Sequence, residues 1–170
     1  MAEAARATEE GIKGPVDREG KYLTFALGQE EYGIGIRKVK EIIGMMPVTP
    51  VPRTPGFIKG VINLRGKVIP VVDLRLKFGM EEIGYTERTC IIVVEVAALS
   101  GAILLGIVVD SVSEVLNIRG GEIEETPIFG AKLDTGYILG MAKMNGGVKI
   151  LLDIDKVLHA GDVVTLKRAS

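Results

Sequence analysis

Two stretches of the chain repeat each other across a shift of 80 residues, and no gap is needed to align them. FIKGVINLRGKVIPVVDLRLKF, from Phe57, lies over YILGMAKMNGGVKILLDIDKVL, from Tyr137, pairing Ile58 with Ile138, Gly60 with Gly140, Gly66 with Gly146, Val68 with Val148 and Asp73 with Asp153. An upstream pair keeps the same order. YGIGIRKVKEII, from Tyr32, resembles LGIVVDSVSEVL, from Leu105, with Gly33 over Gly106, Ile34 over Ile107, Val39 over Val112 and Glu41 over Glu114. A repeated order of motifs predicts two related units of about 60 to 70 residues, the size at which a small barrel fills its interior with side chains yet is marginal alone. The two units are therefore expected to share an interface.

The repeats are made of short β-branched or aliphatic runs between Gly-, Pro- and Asn-containing turns: YLTFAL, YGIGI, GVINL, KVIPVV, CIIVVEV, AILLGIVV, YILGMAKM and VKILLDI. Runs of this kind predict strands, so the fold class is mainly β. Apolar positions three or four apart mark short helical turns at Val39 to Ile43 and Leu74 to Phe78. MPVTPVPRTPG, from Met46 to Gly56, holds four prolines, which remove donors and fix the backbone, and reads as a rigid surface loop. Residues 1–19 are polar and small and read as a flexible tail. The folded domain is expected over 20–160, with one barrel at about 20–82 completed by about 150–160, the other at about 86–149, and a C-terminal tail at 161–170. A last helical turn near Asp155 to His159 should pack back across the pair, because Val157 and Leu158 are apolar.

Chemistry is sparse. A net charge of -1 and a pI near 5.9 give no whole-chain basic surface for duplex nucleic acid. With four Phe, four Tyr and no Trp there is little stacking area for single-stranded bases. Cys90 is the only cysteine, so no intrachain disulfide forms, and within CIIVV it reads as a small buried hydrophobe. The first residues lack the basic and apolar regions of a signal peptide, and the apolar runs fall short of the roughly 20 residues that a membrane span needs. His159, alone, builds neither a metal cluster nor a nucleophile–base pair. Asp73 and Asp153 sit at equivalent strand ends, where a carboxylate caps a helical turn, and Gly66-Lys67 lacks the spacing of a phosphate loop. No cofactor and no catalytic residue is expected, and the chain reads as cytoplasmic.

The turn between the two runs of the first repeat raises a question. In the second copy it is Asn145-Gly146, a strong signal for a two-residue turn with positive φ at both positions. The first copy has Arg65-Gly66, a poorer turn former, so local propensity does not account for the arginine.

YGIGIRKVKEI, the proline-rich loop, TPGFIKGVINLRGKVIPVVDLRLKFG, GIVVDSVSEVLNI and YILGMAKMNGGVKILLDIDKVL together resemble the family of bacterial chemotaxis coupling proteins, CheW, and the related regulatory domain of the histidine kinase CheA. The resemblance runs from Lys21 to His159, and no kinase, phosphotransfer or receiver segment accompanies it. It implies two SH3-like five-stranded β-barrel subdomains with short helical turns. It also implies a non-enzymatic adaptor that couples methyl-accepting chemoreceptor cytoplasmic tips to the CheA regulatory domain, in arrays at the inner face of the membrane without insertion into it. Matched position by position, Val39, Glu41, Gly60 and Arg65 fall in the first-barrel coupling region and Val115 in the second. On residue type alone, Val39 and Val115 also suit a core, Gly60 a strand bulge and Glu41 a solvated charge. The Arg65 guanidinium is expected beside Glu41, where its planar fork would hold a carboxylate. The alternative is a small SH3-like barrel that binds RNA or a protein outside chemotaxis.

Overall fold

The computed structural model describes residues 18–98, 101–125, 136–144 and 146–158. Eleven strands form two sheets: β1 (Gly20–Leu27), β2 (Glu30–Gly35), β3 (Val39–Gly44), β4 (Ile58–Leu64), β5 (Lys67–Asp73), β6 (Cys90–Val96), β7 (Ile103–Val109), β8 (Ser111–Ile118), β9 (Ile123–Glu124), β10 (Ile138–Met144) and β11 (Gly147–Leu152). Two single-turn helices, α1 (Leu74–Lys77) and α2 (Ile154–Val157), follow β5 and β11. The fold is mainly β, and each sheet curls as an SH3-like barrel around a core of its own. One has the expected five strands, in the order β3-β6-β7-β5-β4. The other has six, in the order β8-β1-β2-β11-β10-β9, its sixth being the two-residue β9.

The repeat reappears at the level of hydrogen bonds. β4 and β10 carry the same bulge, after Ile58 and after Ile138. Asp73 N–H donates to the Phe57 carbonyl at 2.7 Å, and Asp153 N–H to Tyr137 at 2.8 Å. Both aspartates cap their helices: Asp73 accepts from the N–H groups of Arg75 and Leu76, Asp153 from that of Asp155. The helical turn after β5 lies where the spacing put it.

Two expectations are corrected. Val39 to Ile43 is no helical turn but the edge strand β3, paired with β6 and alternating between half-buried and exposed residues. Its β-branched side chains suit a strand, and the turn lies just upstream, a 3-10 turn at Ile36–Lys38. The sheets also do not follow the expected division into about 20–82 completed by about 150–160 and about 86–149. The five-stranded sheet takes β3, β4 and β5 from the first half and β6 and β7 from the second, while β1 and β2 join β8–β11. Each half thus lends its leading hairpin to the other. The exchange is reciprocal, because β2 runs parallel to β11 with Gly33 opposite Leu151, and β7 runs parallel to β5 with Gly106 opposite Val71.

Exchange buries these hairpins on both faces. In β6, Ile91 and Val93 fill the core of the five-stranded sheet, while Ile92, Val94 and Val96 enter a larger core between the sheets. This is why CIIVVEV reads as a continuous apolar run. Ile154, Val157 and Leu158 of the last helical turn enter the same inter-sheet core, so the C-terminal turn packs across the pair; His159 lies outside the described residues. Pro70 is tolerated within β5 because the ladder to β7 begins only at Val71.

Candidate protein-interaction surface

Arg65 and Gly66 both adopt positive φ, 52° and 87°, so this two-residue turn has the primed form that the sequence signals for Asn145-Gly146. Asn63 Oδ1 accepts from Gly66 N–H at 2.9 Å and steadies it. Arginine in the left-handed region is strained where asparagine would be at ease. Its guanidinium reaches the carboxylate of Glu41. Glu41 lies on β3 and Arg65 at the tip of β4–β5, and β3 and β4 are the two edges of the five-stranded sheet. The ion pair therefore spans the mouth of that barrel. Beneath it lies a groove of about 580 Å³ whose floor includes Leu64, Ile69, Val93 and Leu104, with Lys40, Lys67 and Glu95 around the rim. Arg65 is 70% exposed, so the pair adds only about 0–1 kcal/mol to stability.

The remaining sequence-predicted residues are not gathered here. Val39 starts β3 half-buried against the inter-sheet core. Gly60 sits on β4 with φ 143°, and a Cβ there would lie 2.0 Å from the Thr49 carbonyl oxygen. That oxygen accepts from Val61 N–H at 2.9 Å, so Gly60 lets the proline-rich loop run along the β4 edge. Val115 belongs to β8, an edge of the other sheet, and is 49% exposed.

Four of the six exposed large apolar residues among the described residues fall in repeat-related pairs, Ile83 and Tyr85 being the others. Ile42 on β3, 44% exposed, is the counterpart of Val115, and Val68 on β5, 70% exposed, is that of Val148. Ile42 and Val68 were missed as contact candidates although the repeat carried the signal, since each aligns with an apolar residue on a strand of the other sheet. No group of three or more His, Cys, Asp and Glu that could hold a metal is found among the described residues, and no helix there is long and apolar enough to cross a membrane.

The CheW-like domain family matches residues 21–162. The chain belongs to that family. It is 43% identical over 143 residues to the Chemotaxis protein CheW of Klebsiella aerogenes, covering 84% of each chain. The Chemotaxis protein CheW of Rhizobium meliloti is 34% identical over 135 residues, covering 79% of this chain and 84% of the relative. The crystal structure of the scaffolding protein TtCheW from Thermoanaerobacter tengcongensis superposes with a TM-score of 0.73 at 35% identity, over 85% of this chain and 95% of that one. A CheW-like chain is a chemotaxis adaptor in general character, and the β-rich architecture agrees with that family.

Proposed function

We propose that this CheW-like protein is a non-enzymatic adaptor that couples the cytoplasmic tips of methyl-accepting chemoreceptors to the regulatory domain of the histidine kinase CheA, in arrays at the inner face of the membrane. The observation that carries the reading is the Glu41–Arg65 pair across a barrel mouth, in a chain whose relatives are chemotaxis CheW proteins. Around it, Ile42 and Val68 supply exposed apolar area with charges on the rim, the composition of a transient interface. Glu41 and Arg65 serve the first face by contact, while Gly60, holding the proline-rich loop, and Val39, anchoring the start of β3 in the inter-sheet core, support it from outside the barrel mouth. Val115, with Ile42 as its counterpart, serves a second face on the other sheet.

Arg65→Asn separates binding from folding. The substitution removes a strained residue and an exposed pair, so the thermal midpoint should hold or rise by the equivalent of a few tenths of a kcal/mol. If the guanidinium meets a partner, affinity for the kinase regulatory domain or a receptor tip fragment should fall tenfold or more, because truncating one member of a charge pair desolvated at an interface costs about 2–5 kcal/mol. Unchanged affinity for both partners would reduce Arg65 to a turn residue.

A further inference from the structure

The duplicated halves build the same cleft twice and, among the described residues, close it once. Asp73, Arg75, Val108 and Asp110 line the first, which keeps only about 10 Å³. The loop after α1 returns over it. Arg75 Nη1 donates to the Glu81 carbonyl at 3.1 Å, the Tyr85 hydroxyl donates to Asp73 Oδ2 at 3.3 Å, and Ile83 completes the wall. The counterparts Asp153, Asp155, Gly35 and Arg37 line a cleft of about 610 Å³. No described segment returns over that one.

We infer that the second cleft docks an extended acidic segment of a partner protein, carrying an aliphatic side chain and, two residues later, a hydroxyl. The first cleft supplies the template: Glu81-Glu82-Ile83-Gly84-Tyr85, two acids, an aliphatic residue and a hydroxyl donor to the capping aspartate. The second cleft offers what such a segment needs. Lys21 and Arg37 are exposed on its rim, and neither is in an ion pair among the described residues, so acids at that rim meet positive charge, while Glu19, Asp153 and Asp155 lie on the same lining. Ile36 and Leu139 give an apolar wall for the aliphatic side chain. Asp153 bonds Asp155 N–H through one oxygen, and its other oxygen has no partner among the described residues, whereas in the first cleft that position takes the Tyr85 hydroxyl. This face is separate from the Arg65 barrel mouth.

The probe is the peptide MEEIGYTERT, blocked at both ends, titrated into the full-length chain with amide chemical shifts as readout. Saturable shifts at Gly35, Arg37, Leu139 and Asp153 are expected. Arg37→Glu in the protein should weaken binding at least fivefold, and Ile83→Asp in the peptide should abolish it. Absence of saturable shifts, or shifts centred on the first cleft, overturns the inference. Peptide-dependent shifts of residues 159–170 that track those of the cleft would make the chain's own C-terminal segment the occupant, and overturn the assignment to a partner. Because Arg65→Asn should leave peptide binding unchanged, failure here and failure of the Arg65 reading are read out separately.

Discussion

Replacing Arg75 with alanine is expected to lower the unfolding free energy by about 3 kcal/mol, a larger loss than any exposed ion pair of this protein can produce. Arg75 binds Asp110 through Nε and Nη2, both at 2.8 Å, with the two side chains only 13% and 22% exposed. Asp110 also accepts from Gly28 N–H at 2.7 Å, and its own N–H donates to the Ala26 carbonyl at 3.1 Å. It stands between β7 and β8, where the chain crosses from one sheet to the other, so the pair ties α1, the β1–β2 turn and the crossing together. Removing the guanidinium leaves a partly buried carboxylate without its counter-charge. Burial pushes the Asp110 carboxyl up, but hydrogen bonds from Arg75 and from Gly28 N–H, with the guanidinium charge, outweigh it and hold the group below the usual carboxylate range. A group depressed in the folded state contributes stability above the unfolded aspartate value, about 3.9, and loses it as pH falls through the folded value. Wild-type stability should therefore decline below about pH 4, and Asp110→Asn should lose this component of the decline. The other crossing is built with the charges inverted: Lys38 pairs with Asp155 at 2.6 Å, and Asp155 accepts from Ala97 N–H at 2.9 Å. Those side chains are 40% and 32% exposed, so Lys38→Ala should cost no more than about 1 kcal/mol. Urea denaturation of the variants distinguishes the two crossings.

Gly60→Ala should be nearly as damaging, at about 2–4 kcal/mol. The added Cβ meets three backbone atoms, Thr49 O at 2.0 Å, Thr49 C at 2.6 Å and Pro50 Cα at 2.9 Å, at a φ that only glycine adopts readily. A proline-rich loop has little freedom to retreat, so the Thr49–Val61 bridge should break. At the repeat-related Gly140 the added Cβ would meet the side-chain Cγ2 of Ile123 at 2.6 Å and a single backbone atom, Glu124 O, at 3.0 Å, and φ there is not positive. Gly140→Ala should accordingly cost less. Comparing the two melts checks the claim that Gly60 is required by the loop. If Gly60→Ala melts like wild type yet fails to bind partners, its place is in the interface itself.

The duplication was legible because it rests on residue types with few substitutes: glycines at bulges and turns, capping aspartates, and aliphatic positions that keep their spacing within each repeated segment. The Arg65–Glu41 pair was legible for a related reason, since an arginine at a turn that asparagine would serve better needs some other use. Hairpin exchange was not. A strand buried on both faces presents the same apolar run whichever sheet it enters, and its partners lie far along the chain, β2 against β11 and β7 against β5. β3 was misread because Val39, Ile42 and Ile43 fit a helical spacing as well as an edge strand, and only pairing to β6 decides between them. The left-handed φ at Gly60 likewise depends on a loop residue, Thr49, that no local pattern couples to it.

The measurement that bears most directly on the adaptor reading is the activity of the kinase CheA, reconstituted with receptor tips in the presence and absence of the purified chain. The account predicts that receptors control the kinase only when the chain is present, and that the chain alone turns over no ATP. Equal receptor control without it, or ATP turnover by the chain that survives replacement of Asp73 and Asp153, would contradict the account.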